Sequence, residues 1–242
     1  MRIAKALARA GLCSRREAER WIAQRRVSID GETLASPARD VTQRERILVD
    51  GKPLPESAPP RLWRYHKPKG LVTTHRDPQG RPTVFKALPV ELPRVISVGR
   101  LDINTEGLLL LSNDGGLARH LELPATGWLR RYRVRAHGTI TQEALNELGD
   151  GIELAGIRYG PIEAVLERVQ GANVWLIIGL REGKNREVRT ILEHLRLTVN
   201  RLIRISFGPF QLLDLAPGAV EAVKRRVLIE QLGPRAASQL GL

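Results

Sequence analysis

The first fifty residues switch between short helical and short extended patterns. Ile3, Leu7 and Ala8 form a helical stripe that stops at Gly11. Ser14-Arg15-Arg16-Glu17 reads as a capping box, in which Ser14 and Glu17 satisfy free backbone amides, and it opens a second helix with Ala18, Trp21 and Ile22 on its inner face. Val27-Ser-Ile-Asp-Gly and Ile47-Leu-Val-Asp-Gly predict two short strands, each closing on an Asp-Gly turn. Residues 53–60 then hold four prolines in eight positions, too many for a packed element and stiff enough for a spacer.

Beyond the spacer, Leu62 to His66 is a strand candidate, and Arg94 to Val98 and Leu108 to Leu111 predict strands on either side of a polar, glycine-bounded turn. Leu129 to Ala136 alternates charged with less polar residues, as a half-exposed strand does, with Tyr132 and Val134 facing inward. Val174 to Ile178 is strand-like, and a helix starting near Asn185 buries Val188, Ile191, Leu192 and Leu195 at helical spacing. Val199 to Gly208 alternates toward a last strand, with Leu202, Ile203 and Ile205 as core residues. Leu213 to Gly218 leads into a short helix ending near Leu232. The pattern divides the chain into a unit over 1–52, a linker over 53–60, a larger domain over 61–232 and a flexible tail over 233–242; it contains no internal repeat.

Composition narrows the partner. The chain has 242 residues, 42% of them apolar, enough for a sizeable core. Its 39 basic against 26 acidic residues give a net charge of +13, which favours an anionic polymer, nucleic acid first, over a small acidic metabolite. No apolar run approaches the roughly 20 residues that span a bilayer. The first ten residues interleave charge with apolar side chains, unlike a secretory signal, so a cytoplasmic protein is expected. Cys13 is the sole cysteine, which excludes an internal disulfide or a cysteine metal cage, and His66, His75, His120, His137 and His194 lack ligand spacing, so no metal is expected. No phosphate-cradling loop and no dinucleotide fingerprint follows a strand, so no cofactor is expected either.

Chemistry concentrates in residues 98–116, Val-Gly-Arg-Leu-Asp-Ile-Asn-Thr-Glu-Gly-Leu-Leu-Leu-Leu-Ser-Asn-Asp-Gly-Gly. Asp102 stands in the polar turn with no histidine nearby in sequence, which points to chemistry by an aspartate alone. Asp and Asn also favour turns for local hydrogen-bonding reasons. Glu106 keeps open a paired-carboxylate hydrolysis of a glycosidic bond.

Arg100, Asp102, Thr105 and Gly107 in one register resemble the catalytic motif of the pseudouridine synthases that modify ribosomal RNA. Gly11-Leu-Cys-Ser-Arg-Arg-Glu-Ala followed by Arg26-Val-Ser-Ile-Asp-Gly resembles the S4 RNA-binding domain. Lys67-Pro-Lys-Gly resembles the segment that opens the family's catalytic domain, and Leu180-Arg-Glu-Gly-Lys-Asn-Arg-Glu-Val-Arg189 resembles its basic motif. Many family members carry His-Gln where this chain has Arg186-Glu187, and the Asn-Arg-Glu-Val-Arg form resembles the large-subunit branch.

The resemblance implies an α+β chain: a small N-terminal S4-like α/β domain, then a catalytic domain with a mixed, mainly antiparallel sheet and flanking helices, a picture with which the alternation and glycine-rich turns agree. It implies that Asp102 attacks the target uridine, that Tyr132 lies against the base, and that Arg189 pairs with the aspartate; a desolvated carboxylate needs such a cation to stay charged. RNA contacts are expected from Arg15, Arg16, Arg20, Arg25 and Arg26 in the first domain. In the second they are expected from Lys67, Lys69, Arg76, Arg81, Arg100, Lys184 and Arg186, with Arg201 and Arg204 also able to face RNA. The implied partner is ribosomal RNA, 23S of the large subunit ahead of 16S, met by a monomer. A non-catalytic ribosome assembly factor is the alternative outside enzymes, though Asp102, Tyr132 and Arg189 are all present.

Overall fold

The computed structural model describes residues 1–42, 44–123 and 126–242. In the N-terminal unit, α1 (Ile3–Arg9) and α2 (Arg15–Ala23) pack on a four-stranded sheet built from β1 (Val27–Ile29), β2 (Glu32–Thr33), β3 (Ile47–Val49) and β4 (Lys52–Pro53), in the order β2-β1-β3-β4. Ser14 caps α2 by accepting from the Glu17 amide at 3.1 Å. Both Asp-Gly pairs form two-residue hairpins, and each has positive φ at Asp and Gly, the geometry that matches the twist of antiparallel strands. Ile3, Leu7, Ala18, Ile22, Val27 and Val49 close a core of their own.

The linker is shorter than the proline count predicts. Pro53 pairs with Leu48 at the sheet edge, and Leu54 packs against the N-terminal core, because an edge position does not need the amide that proline lacks.

The second unit is a nine-stranded sheet. Its first strands are β5 (Leu62–Lys67), β6 (Ile96–Val98) and β7 (Glu106–Ser112), followed by α3 (Gly115–Glu122) and β8 (Arg130–His137). Then come α4 (Gln142–Asn146), the separate hairpin β9 (Ile152–Leu154) and β10 (Ile157–Tyr159), and the long strands β11 (Glu163–Gln170) and β12 (Asn173–Leu180). The chain closes through α5 (Glu187–His194), β13 (Thr198–Phe207), β14 (Phe210–Gln211), β15 (Val220–Ala222) and α6 (Arg225–Leu240). The sheet runs β11-β12-β8-β13-β7-β5-β15, with β6 on β7 and β14 on β13. β13 and β7 are parallel and the other pairs antiparallel. This is the mixed, mainly antiparallel sheet of an α+β chain.

Three apolar clusters flank the sheet. One seats α4 and α5 on β8 and β12, a second seats α3 and α6 on β5 and β7, and the third lies under the connection between β5 and β6. The residues read as a flexible tail are instead ordered as helix. α6 breaks at Gly233 (φ 76°, ψ 161°) and resumes at Pro234, which suits a first helical position. Ala237 is buried and Leu240 and Leu242 pack on the α3 cluster, so apolar burial holds the segment in place.

Candidate active site

A single rung crosses five strands. Lys67 of β5 pairs with Gly107 of β7, Gly107 with Arg204 of β13, Arg204 with Tyr132 of β8, and Tyr132 with Ile178 of β12. Gly107 is the narrow point. Its φ is +102°, and a Cβ there would sit 2.3 Å from the Arg204 carbonyl oxygen, so only glycine lets β7 and β13 approach this closely.

The turn leading into this rung carries Asp102. It lies between β6 and β7, closed by the Thr105 amide donating to the Asp102 carbonyl at 3.0 Å. Lys67 holds the turn from beneath. Its ammonium is fully buried and donates to the carbonyls of Asp102 (3.1 Å), Thr105 (2.9 Å) and Pro68 (3.1 Å). Burial pushes its pKa down to about 8, with the negative charges of Asp102 and Glu106 opposing that shift. The expectation of a phosphate contact at Lys67 is therefore corrected: the side chain is spent inside, on the loop that bears Asp102.

Asp102 opens into a cavity of about 620 Å³. Of the expected residues the cavity brings together Arg100, Asp102, Tyr132, Lys184, Arg186, Arg189 and Arg204. Its walls carry seven basic and four acidic side chains, a balance suited to a polyanion. Tyr132 is half-buried between two of the apolar clusters. Lys184 pairs with Glu182 at the rim. Arg186 caps α5 in a left-handed conformation (φ 52°), which starts the helix two residues later than the sequence pattern predicts.

Arg189 does not form the direct ion pair expected of it. Its guanidinium donates to the carbonyls of Val199 (3.1 Å) and Asn104 (3.3 Å), bridging β13 to the Asp102 turn. Burial, then Arg186, disfavour its charge, while Asp102 favours it, so the attraction acts through space rather than by contact. A guanidinium has several donors, and here the carbonyls of Val199 and of Asn104, two residues past Asp102, each take one.

Other expected RNA contacts lie outside the cavity. Lys69 and Arg76 are exposed on the β5–β6 connection, and Arg81 forks onto Asp77 at 2.7 and 3.1 Å. That pairing, with backbone amides of the same turn, holds the Asp77 carboxyl down to about 2. In the N-terminal unit Arg15, Arg16 and Arg25 are exposed, and Arg20 meets Glu17 at 3.5 Å. Arg26 is committed to Asp50 (2.6 and 2.9 Å) and stacks over Trp21 at 4.8 Å, which makes it part of the scaffold. Arg201 likewise forks onto Glu106 at 2.9 and 3.1 Å, and neither residue lines the cavity.

The sequence pattern missed Arg130 and Glu187 as wall residues, and it did not foresee that Arg204 is buried. Arg130 has the same strand parity as Tyr132 and Val134, the signal that would have placed it inside. Glu187 is buried and accepts from the Lys184 amide at 2.9 Å, and burial pushes its carboxyl pKa up.

The model of the family described as RNA pseudouridylate synthase matches residues 61–194, and that of the S4 domain matches residues 1–47. An uncharacterized RNA pseudouridine synthase of Rickettsia felis is 47% identical over 94% of this chain and 98% of its own length. The ribosomal large subunit pseudouridine synthase B of Pseudomonas aeruginosa is 39% identical over the whole of this chain and 65% of its own. A crystal structure of a pseudouridylate synthase superposes with a TM-score of 0.67 at 26% identity, covering 96% of this chain and all of that one.

Proposed function

The chain belongs to the RNA pseudouridylate synthase family, with an S4 domain at its N-terminus, and from that premise we propose that it converts a uridine of 23S ribosomal RNA to pseudouridine with Asp102 as the reacting group. The observation that carries this reading is the placement of Asp102 on an internally anchored turn, in a basic cavity shared with Tyr132 and Arg189. The large-subunit target is supported by the Asn-Arg-Glu-Val-Arg form of the basic motif and by relatives of 39–41% identity named for that subunit.

The target uridine leaves its stack at a cost of a few kcal/mol, least where the RNA is already looped. The arginines of the rim hold flanking phosphates. Asp102 attacks C1′, or takes a proton in an elimination, as the bond from C1′ to N1 breaks. The uracil turns against Tyr132, and C5 replaces N1 on the sugar. The hydrolase reading loses support because Glu106, its second carboxylate, is occupied by Arg201 outside the cavity.

Incubation with unmodified rRNA of both subunits, followed by carbodiimide labelling and primer extension, tests the reading. A new stop in large-subunit RNA supports it. A stop confined to small-subunit RNA moves the target, and tight binding with no stop in either points to an assembly factor.

A further inference from the structure

Two guanidinium groups lie buried at the cavity wall, neither in contact with a carboxylate. Arg204 is 2% exposed and Arg130 is 8% exposed. Neither forms an ion pair among the described residues. Their hydrogen bonds go to the main chain: Arg204 Nε donates to the Leu108 carbonyl at 2.7 Å, and Arg130 Nη1 to those of Arg181 (2.7 Å) and Trp128 (3.1 Å). Both stack on Phe207, at 5.2 and 4.6 Å. Arg204 Nη2 is buried with no partner. Burial disfavours both charges and Tyr132 favours both; Arg204 disfavours that of Arg130, which Glu187 and Glu122 favour through space, whereas no carboxylate favours that of Arg204. Arginine keeps its proton all the same, so the resting fold bears the cost. The polar side chain facing Arg204 is Tyr132, its partner on the rung.

An isomerisation of uridine gives such a charge something to do. Before reaction the negative charge is on Asp102. When the C1′–N1 bond breaks, its electron pair leaves with the base. The Asp102 carboxylate has by then bonded C1′, or taken a sugar proton, so one negative charge has passed from the carboxylate to N1 and O2 of uracil. When C5 bonds C1′ the charge returns to Asp102; C5 then loses a proton and N1 gains one, and nothing is consumed. Arg189 lies by the Asp102 turn, where the charge begins and ends, while Arg204 and Arg130 lie by Tyr132, where the base turns.

We propose that Arg204, backed by Arg130, is a positioning residue for the detached base: it fixes Tyr132 against the ring and holds a permanent positive potential where negative charge stands only in mid-reaction. The inference rests on the isomerase reading of the site. The Arg204 charge, which no carboxylate answers at rest and the detached base answers in the intermediate, lowers the barrier without tightening substrate binding.

Single-turnover rates and RNA affinities of the intact protein, Arg204→Met and Arg204→Lys test this, on an rRNA transcript carrying either uridine or 5-fluorouridine, whose base leaves more readily as an anion. Arg204→Met is expected to slow C1′–N1 cleavage about 100-fold on uridine with RNA affinity held within about threefold. The deficit should shrink to about tenfold on 5-fluorouridine, and Arg204→Lys, which keeps the charge, should recover about tenfold of the loss. Equal deficits on the two bases, in both variants, would mean that Arg204 serves packing alone and would overturn the proposal. An active parent with an equally active Arg204→Met would overturn it too and leave the isomerase reading intact. A parent that converts no uridine would overturn both.

Discussion

A lysine that grips phosphate must reach water, and Lys67 does not. Its basic, turn-prone neighbourhood in the sequence is the same whether the side chain points out or in; the difference is the strand register, which pairs Lys67 with Gly107 and aims the ammonium at the carbonyls of the Asp102 turn. Lys67→Met leaves the buried Thr105 carbonyl without its donor and should cost about 2 kcal/mol in denaturant unfolding, together with much of the activity. The pH dependence has a definite sign. Burial lowers this group from 10.5 to about 8, so between those values the unfolded chain binds a proton that the folded chain has released. The stability from this site therefore falls as pH drops toward 8 and climbs as pH rises to 10.5, and the climb should be missing from the unfolding curves of Lys67→Met. Asp102, by contrast, was legible as a candidate, because Arg100, Asp102, Thr105 and Gly107 in one register resemble the catalytic motif of the family, whereas a lone aspartate in a turn would not have stood out. The contacts of Arg189 were not legible, since they depend on carbonyls of two distant segments.

Elements were easier to read than their ends. The alternation of Leu129 to Ala136 found β8 to within a residue, and the helical spacing of Val188, Ile191 and Leu192 found α5. The hidden information lay in pairings between strands far apart in sequence. Gly107 illustrates this: in the chain it is one glycine of a motif, while in the sheet it is the point where β7 meets β13. Gly107→Ala forces a Cβ against the Arg204 backbone at positive φ, and an expected loss of about 3 kcal/mol or more, read by thermal unfolding, should accompany a collapse of activity. An alanine tolerated there would show that the two strands do not approach as closely as the rung requires. The helical end of α6 escaped the sequence reading for a related reason: Gly233-Pro234 looks like a terminus, and only the α3 cluster on the far side explains why the chain continues as helix.

At the scale of the molecule, the two units are joined by more than a linker. Arg9 of α1 meets Asp114 at 3.3 Å, the residue that caps α3 through the Gly116 and Leu117 amides, so an ion pair links the N-terminal unit to the helix that follows β7. The surplus of base over acid, 39 to 26 across the chain, suits a polyanionic partner. Of the N-terminal arginines, Arg15 and Arg16 are exposed and outside any ion pair among the described residues, whereas Arg26 is held by Asp50. Replacing Arg15 and Arg16 together by Ala should weaken rRNA binding evenly across sequences and reduce the slope of log affinity against log salt by about 1–2, while Arg26→Ala should alter mainly stability. An unchanged slope would remove the N-terminal unit from the RNA interface. The central claim, that Asp102 performs the isomerisation, is tested most directly by comparing the parent protein with Asp102→Asn on unmodified large-subunit rRNA and mapping pseudouridine at nucleotide resolution. The account predicts one new pseudouridine with the parent and none with Asp102→Asn, at matched RNA affinity; conversion by the variant at a comparable rate would contradict it.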